Sequence, residues 1–167
     1  MIKQGLLNEF NYEAENTRKL LKAIPDSALD YRPQPHLWSV AQLASHIANI
    51  YTWFDGTFNY DTFDIGNLER VEYDLTSAAD ILAKFEGHYQ EAKKVLENSD
   101  ESTYMNDWKM VAGENVLIPA SPKIAMVRGF LFNHLYHHRG ELVAHLRAAG
   151  YPVPGLYGPT YEDSQKR

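Results

Sequence analysis

FLFNHLYHHRGELVAHLRAAG, from Phe130 to Gly150, is the stretch on which the fold turns. It holds four of the chain's seven histidines, has no proline, and its internal Gly140 leaves the apolar rhythm unbroken. An α-helix turns about 100° per residue, so residues four apart lie about 40° apart on one face. His134 and His138 are such a pair. His145 returns to nearly the same direction, and Leu131, Leu135 and Leu142 point broadly that way. These histidines therefore lie on or beside the buried stripe of a long helix. A buried imidazole needs a partner for its ring nitrogen. Two imidazoles on successive turns can share one, and a metal ion is the natural shared partner.

Outward from this stretch, Ser121-Pro122 reads as a cap followed by proline at the first helical position, and Gly150 as the residue just past the C-terminus. That predicts one helix over 121–150. A first helix is expected over residues 4–23, on the spacing of Leu6, Phe10, Ala14, Thr17 and Leu21, stopped by Pro25. A second starts at Ser39, where SVAQ has the form of a capping box with Gln42, and runs to about Asp55. A third runs from Ser77 to Asn98, with Ile81, Leu82, Phe85, Tyr89, Ala92, Val95 and Leu96 as its apolar stripe. Three connections separate the helices. Residues 25–38 carry three prolines, with room for one turn at SALD. Residues 56–75 mix aromatics (Phe58, Tyr60, Phe63, Tyr73) with acids (Asp61, Asp64, Glu69, Glu72, Asp74), either as a solvated loop or as a wall over a site. In 99–120, a short hairpin is expected from Trp108–Val111 and Val116–Ile118 around a turn at AGEN. Four amphipathic helices with few strands indicate an all-α four-helix bundle in a single domain over 1–167.

Composition excludes several functions. The formal charge is -6, and no basic run offers nucleic acid a positive surface. No apolar run approaches the roughly 20 residues that span a bilayer, and the N-terminus lacks the form of a secretory signal. A cytoplasmic location is the default expectation. With no cysteine, disulfides, thiolate ligands and a protein thiol nucleophile are all ruled out.

Bundle sites form where side chains from facing helices converge. His46, beside Leu43, Ile50 and Trp53 on the second helix, faces inward; alone it reads as a core histidine. Combined with His134 and His138 it makes three imidazoles from two helices, a set that holds Zn(II), Ni(II) or Fe(II) with a position left for water or substrate. Glu141, one turn after His138, can orient an imidazole or take a proton, or else form a salt bridge with Arg128, Arg139 or a neighbour. His137 points about 100° away from His138 and reads as exposed or tail-contacting. His145 reads as a core or supporting histidine, and His88 as structural or exposed. Tyr51, Trp53 and Phe54 can line a pocket or simply fill the core. A di-iron carboxylate bundle is excluded, because no Glu-x-x-His motif occurs.

Three stretches, WSVAQLASHI (Trp38–Ile47), NHLYHHRGELVAHLRAAG (Asn133–Gly150) and YPVPGLYGP (Tyr151–Pro159), together with the PDSALDYRPQPHLW approach to the second helix, resemble the DinB/YfiT-like superfamily of metal-binding four-helix bundles. The resemblance spans most of the chain. It implies one divalent metal on a histidine triad, with His46, His134 and His138 at the three ligand positions, and it favours a homodimer. Residues 56–75 and 99–120 match nothing in that pattern, so no substrate preference carries over. Some relatives transfer a low-molecular-weight thiol such as bacillithiol, mycothiol or glutathione. The resemblance thus implies a metal-dependent thiol transferase or hydrolase acting on a small molecule. The competing expectation is a non-catalytic stress-response or binding bundle with a structural metal or none.

Overall fold

The computed structural model describes residues 1–67 and 77–165. The acids and tyrosine expected at Glu69, Glu72, Tyr73 and Asp74 lie outside the described residues. Four helical rods form the bundle: α1 (Ile2–Lys22), α2 (Val40–Ile50) continued by the short α3 (Trp53–Phe58), α4 (Ala78–Asn98), and a last rod. That last rod comprises α5 (Lys123–Met126), a π-helical stretch Val127–Phe132 and α6 (Asn133–Ala148). A short α7 (Tyr161–Ser164) follows. Among the described residues no helix is long and apolar enough to cross a membrane.

The helices form where the apolar spacing places them. Leu6, Phe10, Ala14, Thr17 and Leu21 of α1 are all buried, as are Ile81, Phe85, Ala92 and Leu96 of α4. The predicted cap on α2 is present: Ser39 Oγ accepts from Gln42 N, and Gln42 Oε1 accepts from Ser39 N at 2.9 Å. α2 is buried on nearly every side, which marks a central element rather than an amphipathic surface helix. Both α1 and α2 pack against α4 and α6. The connection from α1 to α2 contains one 3-10 turn, Asp26–Ala28. It is tied to the start of α2 by Val40 N donating to Tyr31 O and Ala41 N to Leu29 O, both at 3.0 Å. Opposite, Gly150 ends the last rod with φ +84. Its N–H reaches Arg147 O and that of Tyr151 reaches Leu146 O, the paired bonds of a Schellman stop.

Three predicted boundaries move. The second helix does not run unbroken to Asp55. Thr52 N and its Oγ1 both turn to Asn49 O, which interrupts the ladder before α3 begins. Gly56 then lies inside α3 rather than opening a loop. Ser121-Pro122 does not cap a helix: Ser121 and Pro122 pair with Trp108 and Asp107, so the strand runs straight into α5. The third change is the π-helical stretch, which brings Val127 and Phe132, five apart, both into the core.

The expected hairpin exists and is longer than predicted: β2 (Asp107–Ala112) pairs antiparallel with β3 (Asn115–Pro122). Its turn places Gly113 at φ +60, a conformation that favours glycine. Residues Thr62–Asp64 add a third strand, β1, parallel to β2 in the order β1-β2-β3. Three residues are too few for an alternation to be read from sequence.

The sheet buttresses the bundle through aromatic rings. Phe63 of β1 lies 6.4 Å from Trp53 and 6.3 Å from the fully buried Trp108, whose Nε1 donates to Gly56 O at 2.9 Å. A Cβ added at Gly56 would stand 2.5 Å from the Phe63 ring. Gly56→Ala is therefore expected to destabilise the protein by about 1–3 kcal/mol, the usual cost of overpacking. Urea unfolding checks this.

Candidate metal centre

Three imidazoles meet between α2 and α6. His46 on α2 puts its Nε2 3.1 Å from Nε2 of His134. The ring of His138 lies 4.6 Å from that of His46 and 4.6 Å from that of His134. One nitrogen from each ring falls within 4.8 Å of the others. The helical reading accounts for this directly: His134 and His138 project from successive turns of α6, and the buried α2 holds His46 opposite them.

The spacing suits an ion. A tetrahedral shell with bonds of about 2.0–2.1 Å holds its nitrogens about 3.3–3.4 Å apart, close to the 3.1 Å between His46 and His134. Nδ1 of His134 is buried with no hydrogen-bond partner. Three neutral imidazoles are a donor set for Zn(II), Ni(II) or Fe(II).

The surroundings keep His46 and His134 neutral. Burial, then the neighbouring His138 and His134, hold His46 down to about 3. Burial, then His138 and His137, hold His134 down to about 4. In both cases the folded state resists protonation below the ordinary value of 6.5. Their contribution to metal-free stability is complete above that value, because the rings are then neutral whether folded or unfolded. It is lost as pH falls from there through 4 toward 3, where the unfolded chain takes up protons that the folded one refuses. Metal-free protein is thus expected to lose urea resistance steeply over that range, and His134→Gln to flatten the loss. Denaturation midpoints at a series of pH values check it.

Glu141 is bonded to the cluster through His138. Its Oε2 accepts from Nδ1 of His138 at 2.7 Å, which leaves Nε2 of that ring as the lone-pair nitrogen. The expected pairs with Arg128 and Arg139 do not form, since Arg139 pairs with Glu13 and Arg128 with Glu9, but Oε1 of Glu141 lies 3.5 Å from Nε2 of the neighbouring His137. His145 is buried and donates its Nδ1–H to the Glu141 carbonyl at 2.8 Å, a supporting contact. His137 is exposed, and His88 bonds Ala48 O at 3.0 Å through Nδ1.

Aromatic rings wall the cluster. Trp38 stands 4.9 Å from His46 edge-on and 5.7 Å from His138 face-on. Trp53 lies 5.2 Å from His134 and stacks on Phe130 at 5.5 Å. Tyr51 and Phe54 instead pack in the core against Phe10. Sequence reasoning missed Trp38 and Phe130 as site residues. Phe130 precedes His134 by one helical turn, and Trp38 precedes the Ser39 cap, so both had a positional signal. A cavity of about 320 Å³ opens beside His138, lined by His36, Leu37, Trp38, Leu43, Glu141 and His145.

The comparisons with known proteins agree with this fold. The profile of the DinB family matches residues 1–167. The chain is 27% identical over 164 residues to the uncharacterized protein YrdA of Bacillus subtilis (strain 168), covering 96% of this chain and 90% of YrdA. Among solved structures, a DinB-like protein from Bacillus cereus ATCC 10987 superposes with a TM-score of 0.74 at 24% identity, covering 92% of this chain and 97% of that one. YfiT from Bacillus subtilis, described as a probable metal-dependent hydrolase with an unusual four-helix bundle topology, gives a TM-score of 0.65 at 16% identity, covering 90% and 89%. With the profile matched from end to end, this chain belongs to the DinB family.

Proposed function

We propose that this protein is a metal-dependent hydrolase of a small, largely uncharged substrate, with His46, His134 and His138 as the metal ligands. The observation that carries the reading is the convergence of three imidazole nitrogens, two of them on rings that burial keeps neutral, beside a cavity of about 320 Å³. A divalent ion in such a site acidifies water and polarises a substrate oxygen. The description of YfiT as a probable metal-dependent hydrolase supports the same reaction class.

The chain's own residues supply the rest. Glu141 acts as a positioning residue: its carboxylate fixes the tautomer and orientation of His138. Trp38 and Trp53 shield the rings of His46 and His134 from water, which strengthens electrostatic interactions within the site. Leu37, Leu43 and Trp38 give the cavity an apolar side for the substrate.

Glu141→Gln is expected to weaken metal binding by roughly 10–100-fold, the usual cost of losing such a carboxylate partner. Competition with a chromophoric chelator measures it. The function itself is tested by screening small neutral esters, amides and lactones with metal-loaded protein against His46→Ala. Metal-dependent turnover lost in the variant is expected. Turnover absent throughout, or only in the presence of an added low-molecular-weight thiol, overturns the hydrolase reading.

A further inference from the structure

Glu141 has two carboxylate oxygens, and His138 takes only one of them. Oε2 accepts from His138. Oε1 lies 3.5 Å from Nε2 of His137, one helical turn earlier. That is long for a hydrogen bond between an imidazole N–H and a carboxylate, which is usually about 2.7–3.2 Å. It matches the separation of two ligands on one tetrahedral ion, about 3.3–3.5 Å for bonds of about 2.0–2.2 Å. One ligand atom from each of His137, His138 and Glu141 lies within 4.8 Å of the others. Unlike the inner triad, this face is open: the His137 side chain is 63% exposed and that of Glu141 41%. An ion can arrive there with most of its water and keep it on the positions the protein does not fill.

We propose that His137 Nε2 and Glu141 Oε1 form a second, weaker site for a borderline divalent cation such as Zn(II), Ni(II) or Cu(II), and that Glu141 couples it to the three-histidine centre. Imidazole plus carboxylate suits these ions, and two protein ligands rather than three make the site the weaker one. Coupling follows from the shared carboxylate. A cation on Oε1 draws charge away from the group that orients His138, so the His138 ring becomes a poorer donor toward the inner centre. Such coupling is reciprocal: each ion lowers the affinity for the other. Excess metal then acts as a brake on the centre. The existence of the outer site does not depend on the hydrolase reading; its coupling rests on His138 being an inner ligand.

The test uses the whole chain, stripped with a chelator and dialysed against rising Zn(II) at a pH where imidazole is neutral, with bound metal measured by elemental analysis. Wild type is expected to bind about two ions per chain in separated steps, one per site. His137→Ala is expected to keep the tight step and lose the weak one. His46→Ala is expected to lose the tight step and keep the weak one. A weak step that is missing from wild type, or that survives in His137→Ala, overturns the outer site. A tight step that survives in His46→Ala instead overturns the inner assignment, so the two failures are distinguishable. Coupling is read with Co(II) in the tight site: its visible absorption should change as the second equivalent binds to wild type, and should not change in His137→Ala. An unaltered band in wild type overturns the coupling. Since His137 is exposed, the variant should melt like wild type, which separates metal loss from misfolding.

Discussion

Replacing His138 by alanine is expected to strip the protein of its tightly bound metal. Its ring is the one that joins the cluster to a fixed carboxylate, and it stands 4.6 Å from each of the other two. Losing a direct ligand should cost more than the roughly 10–100-fold that follows loss of a supporting partner. The fold should survive. His138 lies at the edge of the core, and its removal takes away a neighbour that depresses both His46 and His134. In metal-free His138→Ala, those two rings should therefore protonate at higher pH than in wild type. Elemental analysis after dialysis, with far-UV circular dichroism as the fold control, checks the loss. A tight-binding step retained by a folded variant would remove His138 from the ligand set.

The second large effect concerns stability. Arg139→Leu is expected to destabilise the protein by about 3–5 kcal/mol, because it leaves a buried carboxylate without its cation. Arg139 and Glu13 are both buried, at 1% and 5% exposure. The guanidinium donates to Glu13 O at 2.8 Å and to Thr17 Oγ1 at 3.3 Å, and also to the Glu13 carboxylate and the Tyr157 hydroxyl. Tyr157 in turn donates to Glu13 Oε2 at 2.7 Å, and burial pushes its phenol well above the ordinary tyrosine range. One ion pair thus ties α1, α6 and the C-terminal segment together. Removing both charges, as in Glu13→Leu with Arg139→Leu, should cost much less than removing Arg139 alone, since no charge is then left buried and unpaired. Urea unfolding of the two variants measures the difference. A loss under about 1 kcal/mol for the single variant would show that Glu13 finds another partner or water.

The bundle was legible because its helices keep strict apolar spacing and carry clear stop signals. The Ser39 cap and the Gly150 stop sit where the residues place them. His46, His134 and His138 were legible for the same reason: a face defined by Leu43 or by Leu135 and Leu142 predicts where a ring on it points. What stayed hidden depended on contacts between distant segments. Ser121-Pro122 has the form of a helix start, yet pairing with Trp108 and Asp107 holds it in a strand. Gly56 reads as a helix breaker, yet it lies inside α3, where the Phe63 ring occupies the space a side chain would take. Arg139, next to His138 in sequence, is rotated about 100° from it and reaches α1 rather than Glu141. Nothing local to Arg139 reveals which acid lies opposite.

The most direct measurement is a crystal structure of metal-loaded protein with anomalous data collected on both sides of the metal's absorption edge. One peak is expected about 2.0–2.1 Å from a ring nitrogen of each of His46, His134 and His138. If the strongest peak touches only His137 and Glu141, or no site bridges α2 and α6, the three-histidine centre is wrong.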